Sequence, residues 1–167
     1  MKTIAVLVLI LAACSHAPFD SQPMPTVDAA RYMGKWYEIA RMPSRFERGC
    51  DGVTAEYELR KDGSVDVLNT CHKGGPKGPA RTAKARAWSM HESNSRYAVR
   101  FFWPFKAPYW IIDLDADYRW VAVGHPERKY LWILSREPSL PPETEAGILA
   151  RLTALGYDTA RLERPRH

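Results

Sequence analysis

Residues 53–70 read VTAEYELRKDGSVDVLNT. Val53, Ala55, Tyr57 and Leu59 alternate with Thr54, Glu56, Glu58 and Arg60. A period of two marks a strand with one face turned to a core. Asp62-Gly63 then supplies a turn, and Val65, Val67 and Asn69 alternate with Asp66, Leu68 and Thr70 beyond it. Two such runs joined through Asp-Gly make an antiparallel hairpin. The same pattern repeats outward along the chain. A first strand is predicted over Lys35 to Arg41, and Ala83, Ala85 and Ala87 alternate with Lys84, Arg86 and Trp88. Tyr97 to Trp103, Tyr109 to Leu114, Tyr118 to Val123 and Tyr130 to Ser135 complete eight runs. His72 to Pro79, rich in Gly, Lys and Pro, is read as a loop. Short connections force antiparallel neighbours, and eight of them in chain order close into an up-and-down β-barrel without exposed edges.

One helix follows. Ser139 is the expected N-cap, Pro141 and Pro142 suit a first turn, and Gly156 suits the position just past the end. Ile148, Leu149, Leu152 and Leu155 form an apolar stripe at helical spacing, which is expected to pack outside the barrel. Thr159 to Glu163 reads as a short further strand. The fold class is therefore all-β, an eight-stranded antiparallel barrel with one C-terminal helix.

The first residues carry a different message. Lys2 precedes an apolar run from Ile4 to Ala13, and Leu11-Ala12-Ala13-Cys14 closes it. Charge, apolar core and small residues in that order are a secretory signal. The run is too short to cross a bilayer, which takes roughly 20 residues. The tetrad resembles the lipobox of bacterial lipoproteins, which implies lipidation of Cys14 and a membrane held through that lipid. By resemblance to the lipoprotein sorting rules of enteric bacteria, Ser15 after the cysteine, rather than Asp, implies the outer membrane, facing the periplasm. Residues 1–13 are thus read as signal peptide, 14–28 as the lipidated cysteine and a Pro-rich tether, and 29–167 as one domain. The formal charge of +5 is interspersed with acids. That excludes a nucleic-acid groove and suits an anionic lipid surface. Two cysteines remain after Cys14. In an oxidising compartment Cys50 and Cys71 are expected to pair. Residues near 54 should face residues near 71 across the first hairpin, and a bend or bulge brings Cys50 within reach. Two free buried thiols are the alternative.

Gly34-Lys35-Trp36-Tyr37-Glu38-Ile39-Ala40-Arg41 opens the first strand. Phe46-Glu47-Arg48-Gly49, Asp117-Tyr118 and Tyr130-Leu131-Trp132-Ile133-Leu134-Ser135-Arg136 follow in order. Together these resemble the bacterial lipocalins, the outer-membrane lipoproteins of the Blc family related to apolipoprotein D. The resemblance covers about Ala29 to Tyr157. It implies that Gly34, Trp36, Asp117, Tyr118 and Arg136 are structural, with the Arg136 guanidinium on the Trp36 indole closing the barrel base. Ala116 stands where the family commonly has Thr, so a slightly altered turn is expected.

If the Val53 face points inward, Val53, Ala55, Tyr57, Val67, Ala85, Ala87, Tyr97, Val99, Phe101 and Tyr109 line the interior. Composition alone leaves a filled core and a hollow equally open. The resemblance implies a cavity, with a fatty acid or lysophospholipid as its ligand, for storage, transport or envelope maintenance under stress. The aromatic run from Phe101 to Trp110 falls on the hairpin between the fifth and sixth strands, at the implied open end. It offers a grip on a chain, a membrane contact or a homodimer face, and Lys106 or Arg100 is placed to meet an anionic headgroup. No enzyme signature is present. The five histidines lack metal spacing, so no metal, cofactor or catalytic residue is assigned. A barrel enzyme acting on a small lipid or isoprenoid, through Cys71 or His125, is the rival reading.

Overall fold

A computed structural model describes residues 24–167; the expected signal peptide and the expected lipidation of Cys14 lie outside them. Its eight strands close into one barrel in sequence order, β1 against β8 included. They are β1 Gly34–Arg41, β2 Cys50–Leu59, β3 Val65–Lys73, β4 Ala80–Ser89, β5 Arg96–Phe102, β6 Phe105–Leu114, β7 Trp120–Gly124 and β8 Leu131–Ser135. A single helical turn, α1 (Ala29–Tyr32), precedes β1, and α2 (Pro142–Ala154) follows β8.

The alternation read from residues 53–70 sets the β2–β3 register. Tyr57 faces Val67, Ala55 faces Asn69 and Thr54 faces Thr70. The ladder slips between Asp51 and Thr54, which is the signature of a bulge. That slip carries Cys50 close enough for a disulfide to Cys71, with Cα atoms 5.3 Å apart.

Two apolar layers result. Trp36, Tyr57, Val67, Ala87, Val99, Val121 and Leu134 form an inner cluster. Ile39, Ala122, Leu131, Ile133, Ile148 and Leu152 form an outer one, where α2 packs on the barrel wall. β7 is buried at every position because its inner face meets the barrel interior and its outer face meets α2. This is why that strand reads as a continuous apolar run.

Several boundaries differ from the sequence reading. The packed body begins before residue 29. Val27 is buried and bonds Ser93 O through its N–H, and Asp28 caps α1. Ser139 is not the helix cap; Pro141 holds that position without a side-chain bond. The fixed φ of Pro141 and the missing N–H of Pro142 make a capping oxygen less necessary there. Gly156, at φ +86, ends the helix in the left-handed conformation. The seventh strand starts at Trp120 because Tyr118 turns the chain at φ +61. Residues 159–163 add no full strand. They form a 3₁₀ turn, Thr159–Arg161, and one bridge between Glu163 and Arg41.

Candidate functional site

The barrel encloses a cavity of about 1020 Å³, at the upper end of the roughly 300–1,000 Å³ usual for small-molecule sites. Its wall includes Val53, Ala55, Tyr57, Val67, Ala87, Tyr97, Val99, Phe101 and Tyr109. These are nine of the ten inward residues read from the strand alternation. Ala85 packs against the inner cluster instead. The alanines leave room because their neighbours across the ladder are small as well: Ala87 faces Val65 and Ala83 faces Asn69.

One end of the barrel is sealed. The Arg136 guanidinium lies over the Trp36 indole, 3.8 Å from its centroid. It donates to Lys35 O at 2.9 Å and Arg31 O at 2.8 Å. Trp36 is wholly buried and donates its indole N–H to Tyr32 O. Gly34 sits at φ +91, a backbone conformation that favours glycine at the entry to β1, with Arg136 Nη1 in ordinary contact distance of where a Cβ would stand. Tyr118 is buried; its hydroxyl accepts the Asp28 N–H and its ring carries the Arg31 guanidinium. Asp117 is exposed. The residue that organises this turn is Asp115, which takes the Arg119 guanidinium through both oxygens and the backbone N–H groups of Asp117 and Arg119. The Arg119 contact holds its carboxyl below the usual range.

Above the seal, tyrosines make a polar floor. The Tyr109 hydroxyl lies 2.8 Å from those of both Tyr32 and Tyr57. Burial pushes the Tyr57 hydroxyl up to about 12 and those of Tyr32 and Tyr109 well above their ordinary value. All three are neutral at physiological pH.

Higher in the wall sits an ionic cluster that the sequence reading did not assign. Glu38 and Arg41 are both buried and joined at 2.6 Å. Arg41 also donates to Glu47 O, and Glu47 accepts the Trp132 indole N–H. Arg41 Nε has no partner among the described residues. Burial, reinforced by the Glu47 charge, outweighs the pull of Arg41 and raises Glu38 to about 8. Its parity with Trp36 along β1 was the available signal.

The other end is the mouth. Phe46, Phe101, Phe102 and Phe105 line it and remain exposed, as does the neighbouring Trp103. Lys106 is on the rim, with its ammonium near the outward Trp88 ring. Arg100 lies over Trp88 as well and is not part of the cavity wall. Trp110 joins the outer cluster. The Cys71 sulfur is consumed in the disulfide, and His125 Nδ1 accepts the Glu127 N–H. Among the described residues no group of three His, Cys, Asp or Glu side chains is placed to hold a metal.

Similarities to known proteins bear on this arrangement. The outer membrane lipoprotein Blc of Citrobacter freundii is 40% identical over 155 residues, spanning 92% of this chain and 88% of the relative. Blc of Escherichia coli K12 is 38% identical over 160 residues, spanning 94% and 90%. Among solved structures, insecticyanin from the tobacco hornworm superposes with a TM-score of 0.68 at 19% identity, covering 87% of this chain and 83% of that one. A family model described as a lipocalin-like domain matches residues 27–167. With that match across the whole barrel and helix, the chain belongs to the lipocalin family.

Proposed function

We propose that the protein binds a single-chain lipid, a fatty acid or lysophospholipid, inside the barrel. It does so at the outer membrane, held by lipid on Cys14 and facing the periplasm, to store or carry such lipids and maintain the envelope under stress. The observation that carries this reading is the cavity: about 1020 Å³, walled mostly by Val, Ala and aromatic side chains with a few polar ones such as Thr54 and Asn69, sealed by Trp36 and open at an aromatic rim. Each methylene moved from water into such a wall contributes about 0.8 kcal/mol. An acyl chain therefore draws most of its affinity from the wall, and its headgroup stays at the mouth near Lys106. The Blc relatives are outer membrane lipoproteins by name, which supports the same location here and agrees with the lipobox.

The test is native mass spectrometry of the full chain extracted from membranes, paired with fluorescent fatty-acid titration of delipidated protein. Co-purifying acyl lipid and saturable binding are expected. Ala87→Trp, which places an indole in the hollow, should abolish both. Protein that emerges free of lipid and ignores the probe refutes the reading.

A further inference from the structure

The cavity floor carries more hydrogen-bonding capacity than an apolar chain end can use. Tyr32, Tyr57 and Tyr109 hold three hydroxyl protons but share two hydrogen bonds, so one proton has no acceptor within the trio. Tyr97 stands beside them, directly across the β5–β6 ladder from Tyr109. It is 8% exposed, lines the cavity, and its hydroxyl has no hydrogen-bond partner among the described residues. Two O–H donors and several oxygen lone pairs thus face the closed end of a mostly apolar hollow. A methyl end brought to this floor excludes water from them and returns nothing, which costs affinity.

We propose that the tyrosine floor is a recognition site for a neutral oxygen at the buried end of the ligand, so that the barrel selects acyl chains bearing a hydroxyl or carbonyl near their tail over plain methyl-ended chains. The inference rests on lipid binding in the cavity and specifies which chains it prefers. Neutrality follows from the surroundings. The nearest cation acting on these hydroxyls is Arg136, and it is committed to Trp36 and to the backbone carbonyls of Lys35 and Arg31. A carboxylate on the floor would be desolvated without a cation free to pair with it. A hydroxyl or carbonyl needs none, and takes the unused protons directly.

The experiment is competition against dansylaminoundecanoic acid on delipidated full-length protein. Saturated fatty acids from dodecanoic to octadecanoic are compared with their ω-hydroxy counterparts and with the matching α,ω-dicarboxylic acids. The quantity read is the affinity ratio of hydroxylated to plain acid, in the wild type and in Tyr97→Phe and Tyr97→Phe/Tyr109→Phe. Thermal melts establish that each variant is folded. At the chain length that reaches the floor, the ratio in the wild type should exceed that in the double variant by about tenfold, and the dicarboxylic acid should bind more weakly than the hydroxy acid. Equal ratios in wild type and variants at every length overturn the proposal while leaving lipid binding intact. A dicarboxylic acid that binds best overturns the neutral-oxygen assignment. Failure of all the acids to displace or match the probe overturns the lipid-binding reading itself.

Discussion

Arg136 closes the barrel, and its worth can be set from its contacts. The guanidinium 3.8 Å from the Trp36 centroid is a cation–π contact, about 0.5 kcal/mol when exposed and about 2 when desolvated. Arg136 is half-buried, so about 1 kcal/mol is reasonable. Its two short bonds to Lys35 O and Arg31 O are charge-assisted, at the lower end of about 1.5–3 kcal/mol each because water reaches the site. After truncation those carbonyls rehydrate, which returns part of that value. Arg136→Ala should therefore cost about 3 kcal/mol, or roughly 10 °C in Tm for a domain of this size. Arg136→Lys keeps the charge but loses the planar fork that serves two carbonyls and the indole together, and should cost about half as much. The assay is urea unfolding followed by tryptophan fluorescence with the disulfide intact, with the slope m checked for constancy. In a cycle with Trp36→Phe, the coupling should be near 1 kcal/mol. A loss below about 0.5 kcal/mol in Arg136→Ala would refute the assignment of Arg136 as the closing contact.

Opening the Cys50–Cys71 disulfide by the double Ser substitution frees a loop with a sequence separation of 21, and chain entropy sets the loss at about 3 kcal/mol, read as a urea midpoint shift. Glu38 titrates higher in the folded state, near 8, than its ordinary 4.5, so the unfolded chain holds fewer protons and this group's contribution to stability falls as pH rises from about 4.5 to 8. Burial lowers His125 and gives the opposite slope below about 6.5. The measurement is therefore the difference between wild type and Glu38→Gln across that range, which should be flat if the carboxyl is not responsible. Gly124→Ala would drive a methyl into Tyr157 Oη and against Ile112 Cδ1, displacing the hydroxyl that bonds His125 O. A loss of about 1–3 kcal/mol by urea unfolding is expected, and a neutral result would show that the tyrosine has room to move.

The parts of the molecule that were legible in the sequence are those with a local cause. Asp62-Gly63 and the alternation around it determine the first hairpin without reference to anything distant. The same parity puts Ala55, Ala87 and Val99 on the cavity wall. Ser139 misled because its side chain has the chemistry of a cap, whereas two successive prolines moved the start of the helix past it. The tyrosine floor was half visible. Tyr57, Tyr97 and Tyr109 are each inward by parity, but Tyr32 comes from a helical turn outside the strand pattern, and no periodicity says that their oxygens meet. Glu38 and Arg41 were hidden by the opposite difficulty. Three residues apart in a regular strand, they belong on opposite faces. The register shift between Glu38 and Ala40 puts both Ile39 and Ala40 in the outer cluster and returns Arg41 to the same side as Glu38.

That bulge has a structural consequence that ties the ionic cluster to the last residues described. β1 pairs with β2 only as far as Tyr37 opposite Thr54. Beyond that point the two strands part, and each is left with backbone groups to satisfy. The segment from Glu163 onward fills the seam. Arg41 and Glu163 exchange N–H···O bonds, and Gly52 N–H donates to Arg166 O. Arg166 pairs with Asp51 at 2.6 Å, and the His167 ring reaches Glu38 O at 2.7 Å. The segment also brings the Glu163 carboxylate to 3.7 Å from the Arg41 guanidinium. A carboxyl beside an arginine ordinarily titrates low; this one titrates high because it is buried and Glu47 faces it from the loop after β1. The bulge and the closing segment are therefore linked. Loosening the segment would leave the backbone groups of Arg41 and the Gly52 N–H without these partners and weaken the barrel wall where β1 and β2 part.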